Sequence, residues 1–373
     1  MKIAHINFIP YDNILGVNKK ISLQAKSARD LGIPIDFIVL NSWKNSVENN
    51  LILKKIDSTI FKKKFFRFNI IDKLVDIKKY DFIILRYPDV DFSALTFAKK
   101  YKEKLITEHH TNRLGEVLSG KKTLMTWYKY FFEKYVSPYF LLNTKGIITV
   151  TEEIAKIELE RVNKDIPFAV VSNGVDVESI PFTKFKRFDG KNLNIIFVAS
   201  FFAPWHGLDR MIEGLIDYKG DVIINLNLVG GLSKNDIQKI KRINKNNVRI
   251  YIRGRMDGKE LNDLFAISTI AISTKKMIEA CPLKTREYIA RGIPFVYGYN
   301  DTDLNGDELF ALKIEDDNTP VNIEKIIDFA RFVSNQDDIP YKMRNFARDK
   351  LDWKIKIKKM YDFILDISQT KNK

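Results

Sequence analysis

"VSNGVDVESIPF", residues 171–182, splits a long alternation of apolar strands and amphipathic helices into two runs, and its reading decides the fold. Before it, "KIAHINFI" (2–9), "PIDFIVL" (34–40), "DFIILRY" (81–87), "KLITEH" (104–109) and "GIITV" (146–150) read as strands, with helices such as 18–31 and 151–162 between them. After it, strands near 193–200, 222–229, 248–252, 269–273 and 293–297 alternate with helices near 207–218, 233–244, 258–267 and 282–291. Such alternation means parallel, doubly wound sheets. The expectation is therefore an α/β protein of two Rossmann-like domains, 1–175 and 176–353, whose strand C-termini face one ligand in a central cleft. "IPYKMRNFARDK" and "DWKIKIKKMYDFILDI" run past the second sheet, and the helix at 354–373 is expected to cross back to the first domain. The sequence carries no internal repeat and no low-complexity tract.

Length and composition agree with this division. A chain of 373 residues, 45% hydrophobic, can bury full cores in two domains. One cysteine, Cys281, excludes an internal disulfide framework and a Cys-rich metal site, and fits a reducing compartment. The opening residues pass directly into a strand without the apolar region of a signal peptide, and the run Tyr130 to Ile148 is broken by Glu133, Lys134 and Lys145. These features give a cytoplasmic expectation. The net charge of +15, from 62 Lys+Arg against 47 Asp+Glu, favours an anionic partner, or reflects the Lys, Ile and Asn bias of an AT-rich genome. Nucleic acid is not the expected partner, because the charge is spread over both domains instead of forming a compact basic motif with stacking platforms.

Within the second run, "IEACPLKTREYIARGIPF" (278–295) sets two carboxylates, Glu279 and Glu287, on either side of a helix start at Pro282. Proline suits the first helical position, where its missing N–H costs nothing. The amides of Leu283 and its neighbours, with the helix dipole, favour an anion such as a diphosphate. Lys284 and Glu287 share a face, so a cation suited to phosphate and a carboxylate suited to sugar hydroxyls look toward one ligand. An amphipathic helix with solvated charges is the plain alternative.

This segment, with "VSNGVD" and "FVASFFAPWHGLDRMIEGL", resembles the large family four of retaining glycosyltransferases, which have the GT-B fold; "ILGVNKKISLQAKSARDLGI" resembles its N-terminal glycine-containing loop and first helix. The resemblance implies a sugar moved from a nucleotide-diphosphate sugar, UDP- or GDP-linked, to a glycan or polyprenyl-linked acceptor, as in bacterial capsule, lipopolysaccharide or exopolysaccharide synthesis. It implies that Glu287 binds the donor ribose and that Glu279 meets the transferred sugar near its reacting carbon. Lys284 and the amides of Leu283 and Lys284 would neutralise the diphosphate, and Gly16, in a loop, would let backbone approach the phosphates. "TEHHTNRLGE" resembles the family's Glu-x-His segment, so His110, in preference to His109, is expected to face the acceptor and the transferred sugar.

One departure stands out. The family's Arg and Lys after the first strand of the second domain are here Phe201 and His206. His206 remains a donor-binding candidate, as an imidazole that can carry a proton beside a diphosphate. Arg253, Arg255 and Arg286 are candidates to replace the lost charge, and "FFAPWH" has the alternative of simply packing or shaping the pocket. No metal or other cofactor is expected. "YPDVD" (87–91) holds two acids that read as loop and cap residues.

For the acceptor side, "FKKKFFRF" (61–68) mixes cations with aromatics, and "TLMTWYKYFFEKYVSPYFLL" (123–142) is an aromatic-rich helical segment. Both suit the surface of an anionic membrane, at the inner face of a cell membrane. Core packing is the simpler reading of the second and a solvated edge that of the first. A catalytically silent GT-B subunit and a sugar-nucleotide epimerase are the alternative functions.

Overall fold

The computed structural model describes residues 1–9, 15–42, 44–119, 122–274 and 281–369. The chain divides into two compact units, one formed by Met1–Ser172 with Trp353–Lys373 and the other by Asn173–Asp352.

The first unit holds an eight-stranded sheet of β1 (Ile3–Phe8), β2 (Ile35–Ser42), β3 (Ser46–Glu48), β4 (Leu51–Lys55), β5 (Phe82–Arg86), β6 (Leu105–His109), β7 (Gly146–Thr149) and β8 (Phe168–Val170), in the order β3-β4-β2-β1-β5-β6-β7-β8. Every pairing is parallel except the β3–β4 hairpin at one edge. Successive side chains of a strand point to opposite faces, and here both faces are covered. Ile35, Phe37 and Val39 enter one apolar cluster while Ile38 and Leu40 enter the other; Phe82 and Ile84 alternate with Ile83 and Leu85 in the same way. Double burial is why these strands read as unbroken apolar runs. The helix Trp353–Gln369 contributes Ile357, Met360, Ile364 and Ile367 to the cluster that also takes Ile21, Ala25 and Ala28 from the helix Leu15–Asp30.

The second unit holds a fully parallel sheet of β9 (Asn192–Phe201), β10 (Ile223–Gly231), β11 (Val248–Gly254), β12 (Ile270–Ser273), β13 (Phe295–Tyr297) and β14 (Ala311–Lys313), in the order β11-β10-β9-β12-β13-β14. Counted from β9 this is 3-2-1-4-5-6, the dinucleotide-fold order. One continuous core surrounds it. The segment that opens the unit is clasped to the one that closes it: Val175 donates to the Leu351 carbonyl at 2.9 Å and pairs with Asp352 in a parallel bridge.

Candidate functional site

In a doubly wound sheet a ligand sits beyond the strand C-termini where strand order reverses. In the second unit that point lies between β9 and β12. The chain leaves β9 through Phe202 and a short 3-10 turn, Pro204–His206, and enters the helix Leu208–Asp217 through Gly207. Gly207 has φ 72°, and a Cβ there would lie 2.1 Å from the Thr274 carbonyl oxygen just past β12. Only glycine lets the two loops approach this closely. Thr274 Oγ1 donates to the carbonyls of His206 and Gly207 at 3.3 and 3.4 Å, fixing the contact. His206 Nδ1 accepts from the Ala203 amide at 3.1 Å, so in the neutral ring the proton sits on Nε2.

The helix Leu283–Arg291 follows β12. Pro282 is its N-cap, not its first helical residue as the sequence suggested, and no side chain caps the start. A helix end without a side-chain cap leaves amide donors for another acceptor. Lys284 lies along β9, its Nζ 3.4 Å from the Val198 carbonyl and 5.0 Å from the centre of the Phe197 ring. One turn on, Glu287 Oε1 accepts from Arg291 Nε at 2.9 Å and Nη2 at 2.7 Å, a fork that fixes the carboxylate while Oε2 has no hydrogen bond among the described residues. Arg291 is itself held over the Phe265 ring at 4.3 Å. Gly292, with φ 79°, closes the helix, its amide bonded to Ile289 O and the Ile293 amide to Tyr288 O.

"VSNGVD" braces this helix start. Asn173 donates from its amide to Cys281 Sγ at 3.0 Å and from Nδ2 to Cys281 O at 2.5 Å, and its carbonyl accepts from Arg286 Nε at 3.1 Å. Burial pushes the Cys281 thiol up to about 11, so it is a packing group and not a nucleophile. Arg286 is buried and spent on Asp301 and Asp303, the latter at 2.6 Å. It is therefore not available as the replacement cation that the sequence offered. Arg253, on the edge strand β11, donates to Asn227 Oδ1 at 3.0 Å and stacks on Tyr251, and Arg255 follows just past that strand. Phe202 packs edge-on against Phe197, whereas Phe201 and Trp205 are exposed. Glu279 lies outside the described residues.

In the first unit the order reverses between β1 and β5, and a cavity of about 440 Å³ opens there, lined by Phe8, Arg67, Arg86, Asp89, His109, His110, Arg113 and Glu116 among others. His110 Nδ1 lies 3.2 Å from Lys20 Nζ, which can only donate, so a neutral His110 carries its proton on Nε2. That nitrogen is 2.9 Å from Glu108 Oε2, and His5 Nε2 is 3.0 Å from the same oxygen, neither at a hydrogen-bonding angle. Burial, reinforced by Arg86, pushes His110 down to about 3 despite Glu108. Burial opposes the charge on Glu108, but His110, His5 and Lys20 hold its carboxyl well below the usual range. The outcome is a neutral imidazole beside a carboxylate. His109 is fully buried, stacked on Tyr87 at 4.2 Å with Nε2 3.1 Å from Thr107 Oγ1. Gly16 is in the first turn of the helix Leu15–Asp30 and not in a loop; it is exposed, with no atom within 4 Å of where its Cβ would be.

No family model matches the sequence, and no curated protein matches it. Solved structures do. A glycosyltransferase from Rickettsia africae superposes with a TM-score of 0.67 at 16% identity, covering 100% of both chains. The sucrose-phosphate synthase of Thermosynechococcus elongatus gives 0.66 at 13%, covering 99% of this chain and 100% of that one. HepE of Anabaena, in complex with UDP and glucose, gives 0.65 at 14%, covering 98% and 99%. The chain has the GT-B fold.

Within this GT-B chain three features escaped the sequence. Lys20, whose Nζ holds His110, lies 90 positions before it and meets it only because β1 and its helix neighbour β5 and β6. Arg86 ends β5 inside "RYPDVD", where only the acids were weighed; Asp91 does serve as a cap, accepting from the Ser93 and Arg67 amides at 2.9 and 2.7 Å. The third is a surface. "FKKKFFRF" and the 123–142 segment come together: Phe65 meets Tyr128 at 4.9 Å and Phe92 meets Phe132 at 4.8 Å. Helix Leu124–Phe131 buries none of its residues, and Leu124 is 90% and Trp127 63% exposed. Core packing holds for Phe132, Phe140 and Leu141 but not for this outer face. Among the described residues no helix is long and apolar enough to cross a membrane.

Proposed function

We propose that this protein is a retaining glycosyltransferase of the family-four type, moving a hexose from a nucleotide-diphosphate sugar to a glycan or lipid-linked acceptor in surface-polysaccharide synthesis. The observation that carries the reading is the convergence at the β9–β12 reversal of a helix start without a side-chain cap, Lys284, the Arg291-oriented Glu287 and the His206 turn. That HepE was captured with UDP and glucose on the same fold supports a nucleotide-sugar donor.

Breaking the bond from the sugar's anomeric carbon to the diphosphate leaves an oxocarbenium-like carbon and a departing anion, so donors must already face the leaving group. Lys284, the amides of Leu283 and Lys284, and the Nε2–H of His206 supply them. Glu287 Oε2 takes the ribose hydroxyls. The acceptor oxygen attacks on the leaving-group face, forming the new glycosidic bond, and its proton passes to a diphosphate oxygen. No protein base is then required, which suits a neutral His110 that lines the acceptor cavity with its Nε2 turned to Glu108; Glu279 acts as an electrostatic and positioning group. The exposed aromatic face, with Lys62, Lys63 and Lys64 beside it, rests on an anionic membrane and brings a lipid-linked acceptor within reach.

A thermal-shift screen of UDP-, GDP- and ADP-sugars tests this. One of them should raise the melting temperature, and Glu287→Ala should abolish the rise, since a ligand that binds only the native state stabilises it by mass action. The absence of any shift with wild-type protein would remove the donor site. A bound donor with no transfer to any acceptor would point instead to a silent subunit, the reading favoured by Phe201, and donor isomerisation without acceptor to an epimerase.

A further inference from the structure

Three guanidinium groups line the cavity at the β1–β5 reversal, and two of them are spent. Arg67 donates from Nε to Asp91 Oδ2 at 3.2 Å and lies 3.7 Å from Asp89. Arg113 bonds Asp89 through Nε at 2.7 Å and Glu116 through Nη1 at 2.6 Å. Lys129 adds a third cation to Asp89 at 3.0 Å. Arg86 differs: it makes no side-chain hydrogen bond or salt bridge among the described residues, although it ends β5 in the wall of the cavity. Burial pulls its proton affinity below the usual arginine value, and Glu108 and Glu116 only partly offset this through space.

A largely buried guanidinium has five N–H donors to satisfy, and leaving them unmade is costly. None of the polar atoms orphaned in the interior belongs to Arg86, so its nitrogens open onto the cavity. Proteins pair a buried Arg by building a carboxylate beside it; here the neighbouring carboxylates are engaged elsewhere and the space in front of the fork is open. A planar fork matches the two oxygens of a carboxylate or phosphate, in a site already free of competing free cations.

We propose that the cavity is a subsite for an anionic group on the acceptor, a uronic-acid carboxylate or a sugar phosphate, held bidentately by Arg86 beside His110. That the anion belongs to an acceptor rests on the glycosyltransferase reading; that an anion binds there does not.

The test uses the intact protein and ligand-detected NMR with methyl glucoside, methyl glucuronoside and glucose 1-phosphate. The neutral glucoside should bind weakly, and one of the two anions should bind tighter. Its binding should weaken about tenfold or more in Arg86→Gln, less in Arg86→Lys, which keeps charge but loses the fork, and stay unchanged in Lys284→Gln, which reports on the other unit. Which anion responds names the source. The unliganded Arg86→Gln protein should melt no lower than wild type, because the removed charge has no protein partner; a marked drop in melting temperature would make Arg86 structural and overturn the proposal. So would anion binding equal in wild type and Arg86→Gln, or lost in Lys284→Gln alone. Arg86-dependent anion binding without any nucleotide-sugar binding keeps this site and removes glycosyl transfer; the converse removes this site and leaves the donor reading standing.

Discussion

His110 shows how far one side chain's chemistry depends on neighbours that sequence spacing does not reveal. Isolated, it would titrate in the physiological range; here burial and Arg86 push it to about 3. The unfolded chain therefore takes up a proton between pH 6.5 and 3 that the folded chain refuses, and stability falls as pH falls through that window. Glu108, also depressed, loses stability in the same direction below the ordinary carboxylate range. Denaturant midpoints measured from pH 7 to pH 4 should decline, with a slope from His110 of up to about 1.4 kcal/mol per pH unit. In His110→Gln the decline between pH 6.5 and 4.5 should flatten. An unchanged slope in that variant would show that His110 titrates normally. Sequence reading singled out His110 and Glu287 because each sits in a short motif. It could not find Lys20 or the fork from Arg291 to one oxygen of Glu287, since contacts of this kind depend on which rotamers the packing permits.

At the scale of elements, most interior strands were legible and most edges were not. β1, β2, β5, β6 and β7, with β9, β10, β12 and β13, are apolar runs largely covered on both faces; β11, an edge strand with Tyr251 and Ile252 exposed, was legible from its own apolar residues. The β3–β4 hairpin is a sheet edge with charged and polar residues, "SVENNLILKK", and its turn signal, Asn49 with φ 54°, is shared with ordinary loops. The helical segment 123–142 misled for a related reason: an aromatic face directed at solvent has the same composition as one directed at a core. Leu124 and Trp127 are exposed on a helix with no fully buried residue, so Leu124→Asp with Trp127→Asp should leave stability within about 0.5 kcal/mol. The same pair should strip binding to phosphatidylglycerol-containing vesicles in a sedimentation assay, since each apolar group removed forfeits roughly 1.5–3 kcal/mol of insertion. Vesicle binding that survives both aspartates would leave the aromatic surface without its membrane.

At the scale of the whole molecule, two doubly wound sheets were readable from alternation alone, because parallel pairing forces a helix between strands. The tail was harder, since a helix after the last strand carries no mark of which core it joins. Trp353, Ile357, Met360, Ile364 and Ile367 are buried in the first unit, four of them in one cluster with the helix Leu15–Asp30. Met360→Ala should cost about 2–5 kcal/mol in that unit. Hydrogen exchange should then quicken in β1 and β2 while β9 and β10 keep their protection. Equal loss in both sheets would mean that the units unfold as one.

That return of residues 353–369 also sets an order of events on the ribosome. Asn173–Asp352 has a contiguous sequence and can condense as it emerges, whereas the half made first must wait, its Ile21 and Ala25 face uncovered, until the closing helix is translated. Nascent chains usually mature from the front. This one completes its middle first, and chaperones that recognise bare apolar surface have that interval in which to act.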